Sequence, residues 1–160
     1  MTTSDSGREL FRHALATLAY RAGKVLRDAP PSFAGFAAGD GGRTAERILA
    51  HLVDLMDWAL SMADGSKKWH DSAPLPWNEE SDRFFGALKA FDDYLASGKA
   101  VEAPLEKLFQ GPLADALTHV GQLAMMRRLA GCKMKGENYF VAEMVAGRVG
   151  KEQAEPKREF

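Results

Sequence analysis

The sequence predicts an all-α protein, a four-helix bundle in a single domain. Three observations carry that reading. Four segments place apolar residues at helical spacing, no strongly alternating run argues for a strand, and each segment ends on a stop signal. At 160 residues the chain is long enough to bury a core without disulfides or structural metal. The domain is expected over residues 1–150, with residues 151–160 as a frayed, charged tail.

The first helix is expected over about residues 6–28. Its apolar stripe is Leu10, Ala14, Leu18, Ala22 and Val25/Leu26, and Pro30 and Pro31 stop it. A loop rich in glycine and alanine follows, from Ser32, Phe33 and Phe36 to Gly41 and Gly42. Helix two runs from about Thr44 to Met62, with Ile48, Leu52, Leu55 and Leu60 among its apolar positions and Asp64 and Gly65 at its end. A long connection near residues 63–77 then carries Lys67, Lys68, Trp69, His70, Pro74, Leu75 and Pro76. Asn78 reads as the N-cap of helix three, where Phe84, Leu88, Phe91 and Leu95 form a core face until Ser97 and Gly98. Helix four is expected to begin with Pro112 at its first position and to run to Ala130, with Gly131 as a left-handed cap. Residues 137–148 read as a short extra helix packed on the bundle.

Composition narrows the function. Lysine and arginine number 21 against 22 aspartates and glutamates, and the signs are interspersed, so no strong field exists to hold nucleic acid or an anionic membrane surface. The start, Met1 to Glu9, is polar and lacks the apolar centre of a signal peptide, and no apolar run approaches the ~18–20 residues of a membrane span. A single cysteine, Cys132, excludes an internal disulfide and agrees with a reducing compartment. A cytoplasmic protein is expected.

The chemistry concentrates in helix four. Asp115 and His119 stand four residues apart, which puts them on one helical face with Cβ atoms roughly 5–6 Å apart, close enough to share an ion. His51 in helix two is the best third donor. It lies among Ile48, Leu52 and Leu55, where an imidazole needs a polar partner. Two readings stand at this point: a three-ligand metal site with open positions, or an Asp–His helix pair beside a core histidine bonded to a carbonyl or to Asp115. His13 reads as a surface residue and His70 as a solvent-exposed loop residue near a pocket mouth. Asp54, one turn beyond His51, reads as an orienting acceptor or a solvated side chain. Cys132, with Lys133 beside it, reads as non-catalytic. No Glu-x-x-His pair supports a di-iron bundle, and the chain has no His-Glu-x-x-His, phosphate loop or Gly-x-Ser-x-Gly.

On His51, the Asp115-x-x-x-His119 spacing, the run His119, Val120, Gly121 and Gln122, the Arg127 and Arg128 pair and the Gly131 stop, the chain resembles the DinB/YfiT-like superfamily of metal-dependent four-helix bundles. The resemblance covers nearly the whole chain and implies a long crossover between helices two and three. It further implies one divalent ion per chain, with His51 as first ligand, His119 as last, and Asp115 where the family usually has a middle histidine. Zinc or nickel is the implied metal, and the two-histidine, one-carboxylate set also suits iron or manganese. Gln122 is placed to hydrogen-bond a ligand or bound water, and Gly121 to let a neighbouring helix approach. The implied activity is metal-dependent transfer or hydrolysis on a small molecule, with a low-molecular-weight thiol such as mycothiol or bacillithiol, or water, as nucleophile. The alternative is a non-catalytic binding bundle whose metal site is vestigial or absent. Trp58, Trp69, Trp77, Phe33 and Phe36 exceed what one helix and two loops need. With the family's habit of pairing through helix faces, they predict a homodimer.

Overall fold

In the computed structural model, residues 3–160 are described, with side chains from Ser6 onward; Met1 and Thr2 of the polar start lie outside them. Helix α1 spans Thr3–Leu26, α2 Ala45–Ala63 and α3 Trp77–Ala96. The fourth helix of the bundle starts as α4, Leu105–Leu108, passes through one π turn at Phe109–Leu113, and continues as α5, Ala114–Leu129. Among the described residues the only sheet-like pairings are two isolated bridges, so the all-α bundle stands. Among the described residues no helix is long and apolar enough to cross a membrane.

α2 packs along α3, α1 leans on α3, and α5 closes the bundle against α1 and α2. Leu15 and Leu18, Leu49, Leu52 and Met56, Phe84, Leu88 and Phe91, and Leu113 and Leu123 are the buried centre. Each such side chain contributes about 1.5–3 kcal/mol by leaving water. The expected stripe of α1 is rotated: Leu10 is 71% exposed, and the inward face is Phe11, Leu15, Leu18, Ala22 and Val25. Both stripes share Leu18, Ala22 and Val25. Phe11 decides between them by burying a larger apolar surface and meeting the Phe91 ring edge-on at 5.8 Å between centroids.

Three element boundaries differ from expectation. Asn78 is not a cap: α3 already starts at Trp77, whose ring is buried against Phe33. Pro112 is not a first helical residue, because it sits inside the π turn and is itself buried. Proline has no N–H to give to a carbonyl four residues back, and the wider turn accommodates that missing bond without ending the helix. Residues 137–148 form no α-helix, only one 3-10 turn at Tyr139–Val141 that Asn138 caps by accepting from the Phe140 N–H. Periodicity misleads there because the buried anchor is a charged residue, Glu137, while Phe140 points to solvent. The end of α5 follows expectation, with Gly131 at φ +78°.

Two polar clamps hold the ends. The buried Arg127 guanidinium donates to the carbonyls of Val25 and Arg27 at the close of α1 and to that of Cys132, all within 2.8–2.9 Å. Glu137 accepts from Tyr20 Oη at 2.6 Å and from Lys24 Nζ at 2.7 Å, and Lys24 also reaches Glu159. Residues 151–160, expected to fray, run back beside the start of this segment: Gly136 and Phe160 exchange two backbone bonds of 3.0 Å.

Candidate metal centre

The seam between α2 and α5 brings the sequence-predicted residues together. Leu49, Leu52 and Met56 turn one face of α2 inward, leaving His51 on its flank, half-buried. Ala116, Val120 and Leu123 do the same for α5, so Asp115 and His119 rise on the side facing His51. One donor atom from each of the three side chains lies within 4.8 Å of the other two. His51 Nε2 is 3.6 Å from one Asp115 oxygen, and His119 Nε2 is 3.4 Å from the other. The two imidazoles stand edge to face with centroids 4.9 Å apart.

The two His–Asp separations are longer than hydrogen bonds and near the spacing of ligands on one ion, while the three donor atoms together lie within 4.8 Å and would draw in around it. An N–H···O bond between such groups would be about 2.7–3.2 Å long. Two ligand atoms each 2.0–2.2 Å from a common ion sit roughly 3–3.5 Å from one another. The tautomer agrees: His119 Nδ1 donates to Gln122 Oε1 at 2.7 Å, so in the neutral ring the lone pair of Nε2 faces the Asp115 carboxylate. A cation between them would satisfy both acceptors. Burial, then the neighbouring His119 and Arg43, push the His51 pKa down despite Asp115, keeping that ring neutral and its lone pair available. Two imidazole nitrogens and a carboxylate suit zinc, nickel, iron or manganese, and three protein ligands leave positions open.

The surroundings are asymmetric. Trp69, from the long connection, meets His51 edge-on at 5.9 Å between centroids, and Trp58 meets Trp69 at 5.8 Å. On the α5 side, a cleft of about 480 Å³ is lined by Ile48, Met125, Met126 and Ala38, with His119 and Gln122 at its edge. On the connection side, a cleft of about 430 Å³ is lined by Arg43, Arg47, His51, Asp71 and Ser72.

Other singled-out residues take different parts. Asp54 does not orient His51. It is 1% exposed and accepts from the backbone N–H and Oγ of Ser72 and from Arg83 at 2.7–3.1 Å, and His70 Nδ1 lies 2.8 Å from it. His70 also reaches Asp57 through Nε2 at 3.1 Å, so it fastens the connection that carries Trp69 rather than merely overhanging a pocket. His13 is exposed on α1, away from the centre. Gly121 does not admit a neighbouring helix: a Cβ there would meet nothing within 4 Å. Of the five aromatics read as surplus, Phe33, Phe36 and Trp77 pack on one another, and only Trp58 and Trp69 border the centre. Sequence reasoning missed Ser72 and Arg83, whose partner Asp54 lies 18 and 29 positions away. Comparison with family models, curated proteins and solved structures finds no match, so the centre is argued from its own geometry.

Proposed function

We propose that this protein holds one divalent ion, zinc or nickel, on His51, Asp115 and His119, and uses it in transfer or hydrolysis on a small molecule with a low-molecular-weight thiol or water as nucleophile. The observation that carries this is the convergence of three donor atoms at ion-sharing distances, with a His119 lone pair aimed at a carboxylate. A divalent ion bound there supplies Lewis acidity that lowers the pKa of a bound thiol or water toward neutrality. His51 and His119 set the positions left open to a nucleophile, and Gln122 fixes the His119 ring. Trp69 shields the centre from solvent on one side. The Ile48, Met125 and Met126 cleft receives the apolar part of a small electrophile. The resemblance to DinB/YfiT-like proteins supports thiol transfer over hydrolysis, and it supports a homodimer, for which the exposed Met125 and Leu129 of α5 supply apolar surface.

The test has two parts. Protein purified without a histidine tag is assayed for metal, with about one ion per chain expected. Loaded protein is then incubated with a panel of cellular thiols and a chromogenic electrophile beside the His51→Ala variant. Rates equal in both, or at background, would overturn the enzymatic reading in favour of a non-catalytic bundle. Light scattering at micromolar concentration that gives the mass of one chain would overturn the dimer.

A further inference from the structure

Arg43, just ahead of α2, and Arg47, in its first turn, are exposed and line the same cleft as His51. Neither guanidinium has an ion pair or a side-chain hydrogen bond among the described residues, whereas Arg12, Arg83 and Arg127 are each held by a carboxylate or by carbonyls. Asp71 is the one acidic side chain lining that cleft, so two guanidiniums face one carboxylate. Ser72 closes the wall, but its N–H and Oγ already donate to Asp54, leaving the arginines as donors. Arg43 lines the second, apolar cleft as well, on the far side of the triad. A divalent ion on one carboxylate and two imidazoles adds further positive charge between the two clefts.

The geometry points to a carboxylate-bearing reactant, its anionic group on Arg43 and Arg47 beside His51 and its apolar portion in the Ile48 and Met126 cleft. The inference rests on the metal-centre reading and adds the substrate class to it. A guanidinium fork matches a carboxylate with two parallel N–H···O bonds, which an exposed lysine does not reproduce. The carboxylate belongs either to the thiol or to the electrophile.

Quenching of Trp58 and Trp69 fluorescence in the metal-loaded protein reads out binding, and two matched pairs separate the sources. 3-Mercaptopropionate against its amide probes the thiol, and 4-phenylbutyrate against its amide probes the apolar partner. At least one carboxylate is expected to bind about tenfold tighter than its amide, and that advantage is expected to shrink to within about twofold in the Arg43→Gln/Arg47→Gln variant. No advantage in the native protein would overturn the inference. An advantage that survives the double substitution would overturn it too, since the ion alone would then hold the anion. Arg47→Gln alone is judged by the same criterion should the double variant unfold more easily. Metal content measured on every sample keeps the two readings apart. A native protein that holds no ion yet shows the arginine-dependent preference would defeat the metal centre and leave this site standing; full metal without the preference would do the reverse.

Discussion

Metal affinity should fall in a graded order across the seam. Four-ligand zinc sites gain about 10–16 kcal/mol from the ion, or roughly 2.5–4 kcal/mol per ligand. Truncating His51 or His119 to alanine removes one whole ligand of three, so each variant should lose about two to three decades of affinity. Gln122 would not be a ligand. It orients His119 through one 2.7 Å bond, and Gln122→Ala should cost only about 10–100-fold. The assay is competition against a chromogenic chelator at fixed pH, with stoichiometry from elemental analysis. His51 and His119 are only partly buried, so the unfolding midpoints of the metal-free proteins should move little, and lost binding cannot be blamed on lost fold. Unchanged stoichiometry in both alanine variants would place any ion elsewhere. A Gln122→Ala loss as large as that of His119→Ala would refute the assignment of Gln122 to an outer, orienting role.

Three further outcomes follow from the same coordinates. Asp115→His should retain or tighten metal binding, because it replaces a half-exposed oxygen donor by a third imidazole on the same face; weaker binding in the chelator competition would count against this. Arg127→Met should destabilise the fold by about 2–4 kcal/mol, since it strands the carbonyls of Val25, Arg27 and Cys132, and a urea midpoint equal to the native one would contradict that. The Tyr20 pKa is raised, first by burial and then by its bond to Glu137, so the folded state holds that proton more tightly than the unfolded chain does. The corresponding stability is complete below the ordinary tyrosine value of about 10 and is lost as the pH rises above it. Lys24, whose bonds to Glu137 and Glu159 outweigh its burial, is raised as well and acts with the same sign. Tyr20→Phe should therefore flatten the decline of the urea midpoint above pH 10, and an identical slope in both proteins would disprove the linkage.

Local pattern made most of the bundle legible, and its failures have physical causes. Phe84, Leu88, Phe91 and Leu95 are buried as their spacing requires, because one helical face can point only one way. Helix α1 offered two overlapping stripes, and only contact with Phe91 selects Phe11 over Leu10. The segment 132–160 is held by long-range polar bonds, Glu137 to Tyr20 across 117 positions among them, and no local period encodes those. The candidate centre follows the same division. Asp115 and His119 were readable as a pair because a helix places every fourth residue on one face, and His51 because an imidazole in an apolar stripe needs a partner. The grip of Asp54 on His70, Ser72 and Arg83 was not readable, since it depends on where an irregular connection lands.

The one misplaced helix start bears directly on the centre. Had the fourth helix begun at Pro112, Asp115 would sit in its first turn among unpaired N–H groups, where a carboxylate is commonly satisfied by the backbone and the helix dipole. Instead the helix comes in from Leu105 and passes the proline through a π turn, so Asp115 lies within a continuing helical path. Its carboxylate makes no backbone hydrogen bond among the described residues, and its charged-group neighbours are the imidazoles of His51 and His119. Of those two rings, burial lowers the pKa of His51, and His119 Nδ1 is engaged by Gln122 Oε1, which leaves its Nε2 toward the carboxylate. The π turn thus removes the backbone partner that a helix start would have offered, leaving a half-exposed carboxylate with two histidines beside it, which is the set the proposed ion would use.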